Sequence, residues 1–406
     1  MNKFSRKMVS VLAGLILVPI SVLATDTYQP QTANSVYDDF ANVDLGYLGI
    51  SSKFHLFTEE TATLSTHTNG NLAAKSAIIG TNFGTNEKGE ATQLGTEIHY
   101  IQNFTTNNAE LKMVAESTTR QTKLVVGPDI SVSKSDHIYL NGTRTPSIAG
   151  EHIFQEQTAG DYINLPQEFA VLREKAITLQ GLESSNKDVV TVDFKDMNKK
   201  NINVASNANS LVIVNIDYKE LAGNTPLYIN NQSNQILLFN VVSMPEDGEA
   251  SINSQINYNS RNNQETENFM DANILWNFGT TNATVVVNRP FQGTILAPNS
   301  NIIANQNIDG SIISKYVTIN AESHRWDLNS FTITPNDEQN STETTTSQSD
   351  EQGVIGGNAS SNYDHNSTDD TIYLPQTGSA TSSGLISLGA ILSSLSGLFI
   401  FRRNRK

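Results

Sequence analysis

Short runs of Val, Ile and Leu, cut by Asn, Gly, Ser and Asp, recur through residues 36–333 and restrict the body of this chain to an all-β fold. Leu211-Val212-Ile213-Val214, Ile236-Leu237-Leu238-Phe239 and Thr284-Val285-Val286-Val287 are too short for helices and too apolar for loops. Near the end of the body the runs fall into register. Phe291-Gln292-Gly293-Thr294-Ile295-Leu296 matches Ile308-Asp309-Gly310-Ser311-Ile312-Ile313 in kind, 17 residues later, and Ile302 and Ile319 keep the same offset. An offset of that size suits one coil of a parallel β-helix, whose turns accept Asn in left-handed backbone and in stacked side-chain ladders. The parallel β-helix is the expected fold. An antiparallel β-sandwich, which shares the composition without demanding a fixed offset, is the alternative.

One segment departs from the β pattern. Asn164 opens a stretch that runs to Gln180 and is closed by Gly181, with Pro166 in the tolerated first turn. Phe169, Leu172, Ala176 and Leu179 share one face at spacings of three and four, so a helix is predicted to flank the solenoid.

The two ends of the chain carry a different kind of information. Leu374-Pro375-Gln376-Thr377-Gly378 is followed by an apolar stretch, 385–401, and by Arg402-Arg403-Asn404-Arg405-Lys406. As a helix, the apolar stretch would span roughly 26 Å, enough to hold the chain transiently in a bilayer. The basic tail would stay on the cytoplasmic side. This order, over 374–406, resembles the cell-wall sorting signal of Gram-positive bacteria. The resemblance implies that a sortase cuts between Thr377 and Gly378 and joins the Thr377 carbonyl to a peptidoglycan amine. At the other end, Lys3, Arg6 and Lys7 precede an apolar run, Met8 to Leu23. Val22 and Ala24 are small residues three and one positions before a cut, so residues 1–24 read as a signal peptide. The expected location is extracellular, fixed to the wall.

Charge and composition narrow the partners. The removed segments hold seven of the 26 basic residues and none of the 41 acidic ones, so the processed chain is strongly acidic. Such a chain repels nucleic acid and favours basic proteins or neutral glycans. There is no cysteine, which excludes disulfides, thiolate metal sites and a cysteine nucleophile. Residues 334–373 are dominated by Asn, Ser, Thr, Gln, Gly and acid, and read as an extended, disordered stalk.

Two blocks resemble the choice-of-anchor A domain of bacterial surface proteins. The first is Phe40-Ala41-Asn42-Val43-Asp44-Leu45-Gly46-Tyr47-Leu48-Gly49, with Thr68-Asn69-Gly70-Asn71-Leu72-Ala73 and Ile78-Ile79-Gly80. The second is Ile274-Leu275-Trp276-Asn277-Phe278, with Gly293-Thr294-Ile295-Leu296-Ala297-Pro298-Asn299, Gly310-Ser311-Ile312-Ile313 and Glu322-Ser323-His324. The resemblance covers 36–333. It implies a right-handed β-helix with an accompanying helix, akin in shape to ice-binding proteins, and an adhesive role without catalytic residues. Residues 81–150 depart from it and read as a longer polar insertion.

Candidate chemistry is sparse. Glu322 and His324 are two apart, hence on one face of a strand, and could begin a metal site with Asp309 or His152; a structural carboxylate–imidazole bond is the favoured reading. Asp44, Asp129, Asp217 and Asp271 are scattered, and no hydrolase motif is present. Thr61-Ala62-Thr63 and Thr332-Ile333-Thr334 stand isolated, with no Thr repeating at the coil offset. Trp276 reads as core, and Trp326 either caps the core or faces a ligand. No metal, cofactor or catalytic residue is expected. The resulting expectation is a peptidoglycan-anchored adhesin binding an unidentified host or glycan ligand, with a wall-tethered polysaccharide-active β-helix enzyme as the alternative.

Overall fold

The computed structural model describes residues 28–87, 95–114, 117, 120–206, 208 and 210–333. The expected signal peptide, stalk and sorting signal, with Val22, Ala24 and Leu374 to Gly378, lie outside them.

Among the described residues one sheet holds 13 strands. In chain order these include β1 (Leu56–Leu64), β2 (Leu72–Ile79), β3 (Thr96–Thr105), β4 (Gln121–Val126) and β5 (Ile153–Gln155). The second half contributes β6 (Leu211–Asp217), β7 (Ile236–Val242), β8 (Glu249–Ile252), β9 (Ile274–Asn277), β10 (Thr284–Val287), β11 (Thr294–Ala304) and β12 (Ile312–Ile319). The two-residue strand Gln31–Thr32 forms one edge. From that edge the order is β5, β4, β3, β2, β1, β12, β11, β9, β7, β6; β10 pairs the second half of β11, and β8 pairs β10. These pairings are parallel. Shorter parallel strands supply another wall: Phe291–Gln292, Ile308–Asp309, Ser323–His324 and Thr68–Asn69 pair in that order. This is a parallel β-helix, and the sandwich alternative falls.

The coils do not stack in sequence order. After the edge strand Gln31–Thr32, the chain begins its coils in the middle with β1, runs outward to β5, and enters the long helix, Leu165–Gln180. It resumes at the opposite edge with β6 and coils back until β12 closes against β1. The first and last coils are therefore neighbours.

Strand alternation explains why the runs are apolar throughout. Successive side chains point to opposite faces. One column, Val214, Phe239, Trp276, Ile295, Ile312, Leu56, Leu72, His99, Leu124 and Ile153, follows the register into the solenoid interior. Nine of these are apolar; His99 is buried with them, edge-on to Phe83 at 5.1 Å. The adjacent residues point the other way, and Leu296, Ile313, Phe57 and Ala73 are buried there beneath Phe169, Leu172, Ala176 and Leu179 of the helix. Phe57 and Phe169 stack at 5.5 Å. Where the helix lies on these first halves of the strands, both sheet faces are thus dry, as in sheets covered by helices.

The helix ends as its sequence requires. Asn164 Oδ1 accepts from the Gln167 amide at 3.2 Å, and Gly181 follows the last turn. Asn277, Asn240 and Asn215 occupy adjacent coils and donate from Nδ2 to the carbonyls of Ala176 (2.9 Å), Leu179 (2.6 Å) and Leu182 (3.4 Å). They also bond to one another, so an asparagine ladder satisfies carbonyls at the helix C-terminal end. A second ladder runs along a turn: Asn320 donates to Asn305, Asn305 to Asn288 and Asn288 to Asn253, at 3.0–3.1 Å.

Two sequence expectations need correction. The 17-residue offset holds from Phe291/Ile308 to Ala297/Ser314, but Ile302 pairs Val317, and Ile319 pairs Ala304. A bulge between Ala297 and Asn301 absorbs two residues, because Pro298 and Asn299 turn toward Arg173 of the helix. Residues 81–150 are not a polar insertion: β3 and β4 are coil strands, and a three-stranded meander, Val132–Lys134, Ile138–Leu140 and Thr143–Thr145, buries Ile138 and Leu140 in the core. Its polar surface residues hide that core in the sequence.

Gly293 and Gly310 are held by close approach. Both have positive φ, at 117° and 146°, and a Cβ on Gly310 would stand 2.2 Å from the Gly293 carbonyl oxygen.

Candidate binding face

The second halves of the central strands present an outward grid. One column, by register, is Glu249, Thr284, Asn301, Tyr316, Thr61, Ser76 and Asn103. The parallel column is Ser251, Val286, Ile303, Thr318, Thr63, Ile78 and Thr105. Between them Ala250, Val285, Ile302, Val317, Ala62, Ala77 and Phe104 point inward and are buried. Backbone geometry sets the grid at roughly 6.6 Å along each strand and about 4.8 Å between strands. Of its 14 side chains only Glu249, at one end, is charged, on a chain of formal charge −15. Tyr316 (40% exposed) and Ile78 (49% exposed) are its most prominent hydrophobic residues. Of the threonines that stand isolated in sequence, Thr61 and Thr63 lie on this face, and Thr63 is opposite Thr318 because β1 and β12 meet. A scan at one coil offset misses this pairing, since its partners lie at opposite ends of the body. Thr332 is not part of this register.

Elsewhere the polar chemistry turns inward. Gln292, Asp309, His324 and Asn69 form a buried polar column on the short-strand wall. Gln292 Nε2 donates to the Arg261 carbonyl (3.0 Å) and to Asn263 Oδ1 (2.6 Å), and Asp309 Oδ2 accepts from the Gln264 amide at 3.0 Å. Together they fasten the segment 259–268 over the wall. Arg261 pairs with Asp309 and lies 4.4 Å from the Trp326 ring; Trp326 is buried and donates to Asp271 at 2.9 Å, which settles it as core.

The pair singled out in sequence is present. His324 Nε2 lies 3.6 Å from Glu322 Oε1, and His324 Nδ1 lies 2.7 Å from Asp309 Oδ1. Burial lowers the His324 pKa, but the bond to Asp309 and the charges of Asp309 and Glu322 outweigh it and raise it above the ordinary value. Asp309 thus acts as the orienting carboxylate. His152 belongs to the short turn Gly150–His152 before β5, near the far edge of the sheet, and is not brought to the pair.

Next to this column the joint between first and last coils is ionised. Arg325 grips Asp327 through two bonds of 2.7 Å, and its Nη1 lies 3.9 Å from Glu97. Glu97 accepts from the Thr85 amide at 2.9 Å. Burial pushes its pKa up, but His99, Arg325 and Thr85 outweigh this and hold it down to about 2. Arg120 pairs with Glu267 in the same buried region. His55, fully enclosed, bonds the Gly310 carbonyl (2.8 Å) and Ser323 Oγ (2.9 Å), and burial lowers its pKa to about 3. The scattered acids have local duties: Asp44 receives the Gly46 amide, and Asp217 caps the turn of helix Tyr218–Ala222.

A β-helix on a chain that carries a sorting motif defines a cell-wall-anchored extracellular surface protein. Residues 367–406 match the LPXTG cell wall anchor motif, which places the chain in that class. Residues 47–325 match the family described as "Putative Ice-binding-like adhesive domain", and this protein belongs to that family. Among solved structures, the ice-binding protein of the Antarctic ascomycete Antarctomyces psychrotrophicus is similar at 12% identity, over 70% of this chain and 98% of that chain, with a TM-score of 0.28. The ice-binding protein LeIBP of an Arctic yeast is similar at 13% identity, over 72% and 97% of the two chains, with a TM-score of 0.28. No curated protein matches.

Proposed function

We propose that this protein is a non-catalytic adhesin whose grid on β1–β3, β8 and β10–β12 binds a neutral, hydroxyl-rich ligand such as a host or microbial glycan. The observation that carries the reading is an array of Thr, Asn, Ser, Ile, Val and Tyr whose one charged member is the terminal Glu249, on a strongly acidic chain. Hydroxyl and amide groups at fixed spacing match sugar hydroxyls, and Tyr316 and Ile78 offer apolar area for sugar faces. Many weak contacts along one face, multiplied over many copies on a wall, give avidity. In this reading residues 36–333 are the head and 334–373 the stalk. Signal peptidase cuts after Ala24, with Val22 at the other small position. Sortase recognises Leu374, Pro375, Gln376, Thr377 and Gly378, breaks the Thr377–Gly378 bond and transfers Thr377 to a peptidoglycan amine.

The test is binding of the purified protein to arrays of glycans, collagens and other matrix proteins at low and physiological salt. Saturable binding that changes little with salt, and that Thr63→Glu abolishes, is expected. Binding that survives Thr63→Glu and Tyr316→Glu, or that collapses with salt, overturns the assignment to this face. Release of soluble fragments from a glycan overturns the non-catalytic reading.

A further inference from the structure

We propose that His67, Glu265 and Glu322 form a site for a zinc-type divalent cation that clasps the joint between the first and last coils. One donor atom from each lies within 4.8 Å of the others. His67 Nε2 and Glu265 Oε1 are 3.5 Å apart, close to the roughly 3.3 Å that separates neighbouring ligands in a tetrahedral site with about 2.0 Å metal bonds. The remaining separations, none above 4.8 Å, exceed that spacing by no more than about 1.5 Å.

The three donors come from three segments distant in sequence. His67 precedes strand Thr68–Asn69, Glu322 precedes strand Ser323–His324, and these strands pair directly. Glu265 belongs to the segment over the polar column and follows Gln264, whose amide is held by buried Asp309. Each donor is therefore adjacent to a residue fixed on the same wall, which limits the entropy lost on ligation.

Protonation geometry also suits a cation. Asn86 Nδ2 donates to Glu265 Oε1 at 2.8 Å and lies 3.4 Å from His67 Nε2, a long contact that makes Nε2 the acceptor and that a cation would replace on the same lone pair. His67 Nδ1 is buried and has no hydrogen-bond partner among the described residues. Beside the cluster, His324 Nδ1 is held by Asp309, and its Nε2 is 3.6 Å from Glu322. His324 thus borders the cluster through Glu322, with its ring fixed by the Asp309 carboxylate. An imidazole nitrogen with carboxylates selects zinc-like cations over calcium or magnesium, which take oxygen ligands. Glu322, 45% exposed, leaves the site open to solvent.

The experiment is calorimetric titration of the purified, EDTA-stripped full-length chain with Zn²⁺, Mn²⁺ and Ca²⁺, with melting curves and a Co²⁺ absorption spectrum. One Zn²⁺ per chain, a higher Tm with Zn²⁺ and a tetrahedral Co²⁺ spectrum are expected. His67→Ala and Glu322→Gln should each weaken Zn²⁺ binding at least tenfold and cancel the Tm gain. Glu322 is largely exposed, so its variant reports on binding even if His67→Ala fails to fold. Absence of saturable Zn²⁺ binding, binding undiminished in Glu322→Gln, or preference for Ca²⁺ would overturn the proposal.

Discussion

The outward grid and the joint between the coils both depend on the closure of β12 against β1, yet they are chemical opposites. On the grid, charge is nearly absent and the side chains, the buried Val286 apart, contact solvent; at the joint, Glu97, Arg325, Asp327, Arg120 and Glu267 are ionisable and buried. The difference shows where each region's energy lies. The grid's side chains contribute little to folding and are available for binding. The joint's charges were taken from water at a cost and hold only as a matched set.

That contrast is most sharply broken at Arg325. Arg325→Met leaves Asp327 and Glu97 buried without their cation and should cost about 3–5 kcal/mol, read as a lower denaturant midpoint at unchanged m-value. A loss under 1 kcal/mol would show the joint to be hydrated.

Acid should act on the joint and spare the grid. A histidine whose folded pKa, about 3, lies below its unfolded value near 6.5 binds fewer protons folded than unfolded between those limits. Stability should therefore fall as pH drops from about 6.5 toward 3, by at most about 1.4 kcal/mol per pH unit for this one group. Glu97, depressed to about 2, adds its own loss as pH falls from about 4.5 through 2. His55→Gln should flatten the upper part of that dependence, from pH 6.5 to 4.5, in melts across a pH series. An unaltered slope would exclude His55 as its source.

The turn ladder sits between the two regimes. Asn305→Ala removes one donor and one acceptor at an exposed position and should cost about 1 kcal/mol by denaturation. The smallest effect on stability belongs to the grid: Thr63→Glu should change it by less than about 0.5 kcal/mol while abolishing ligand binding. Equal losses at Thr63 and Asn305 would mean that the face is structural.

Much of the architecture was legible. Apolar runs at 211–214, 236–239 and 284–287 lie within strands, the helix spans Leu165–Gln180 between Asn164 and Gly181, and the offset of 17 is a true coil register around Phe291 and Ile308. Ile302 escaped, because a bulge stabilised by a helix contact carries no periodic mark. So did the coils within 81–150, whose short apolar stretches are separated by polar, exposed segments. Of the candidate chemistry, the Glu322–His324 neighbourhood was visible as an i, i+2 spacing. Asp309 as its partner could only be suspected, and His67 and Glu265 gave no sign.

Alternation, helix capping and turn chemistry are interactions between residues a few positions apart, so the sequence by itself determined that this body would be a β-solenoid with one flanking helix. The closing of β12 on β1 is a contact between the two ends of the body, and nothing local encodes it. It follows from burying the exposed edges of two half-solenoids against each other. Only that closure aligned Thr63 with Thr318 and set His67 beside Glu322, so the tertiary structure decided both the face and the joint.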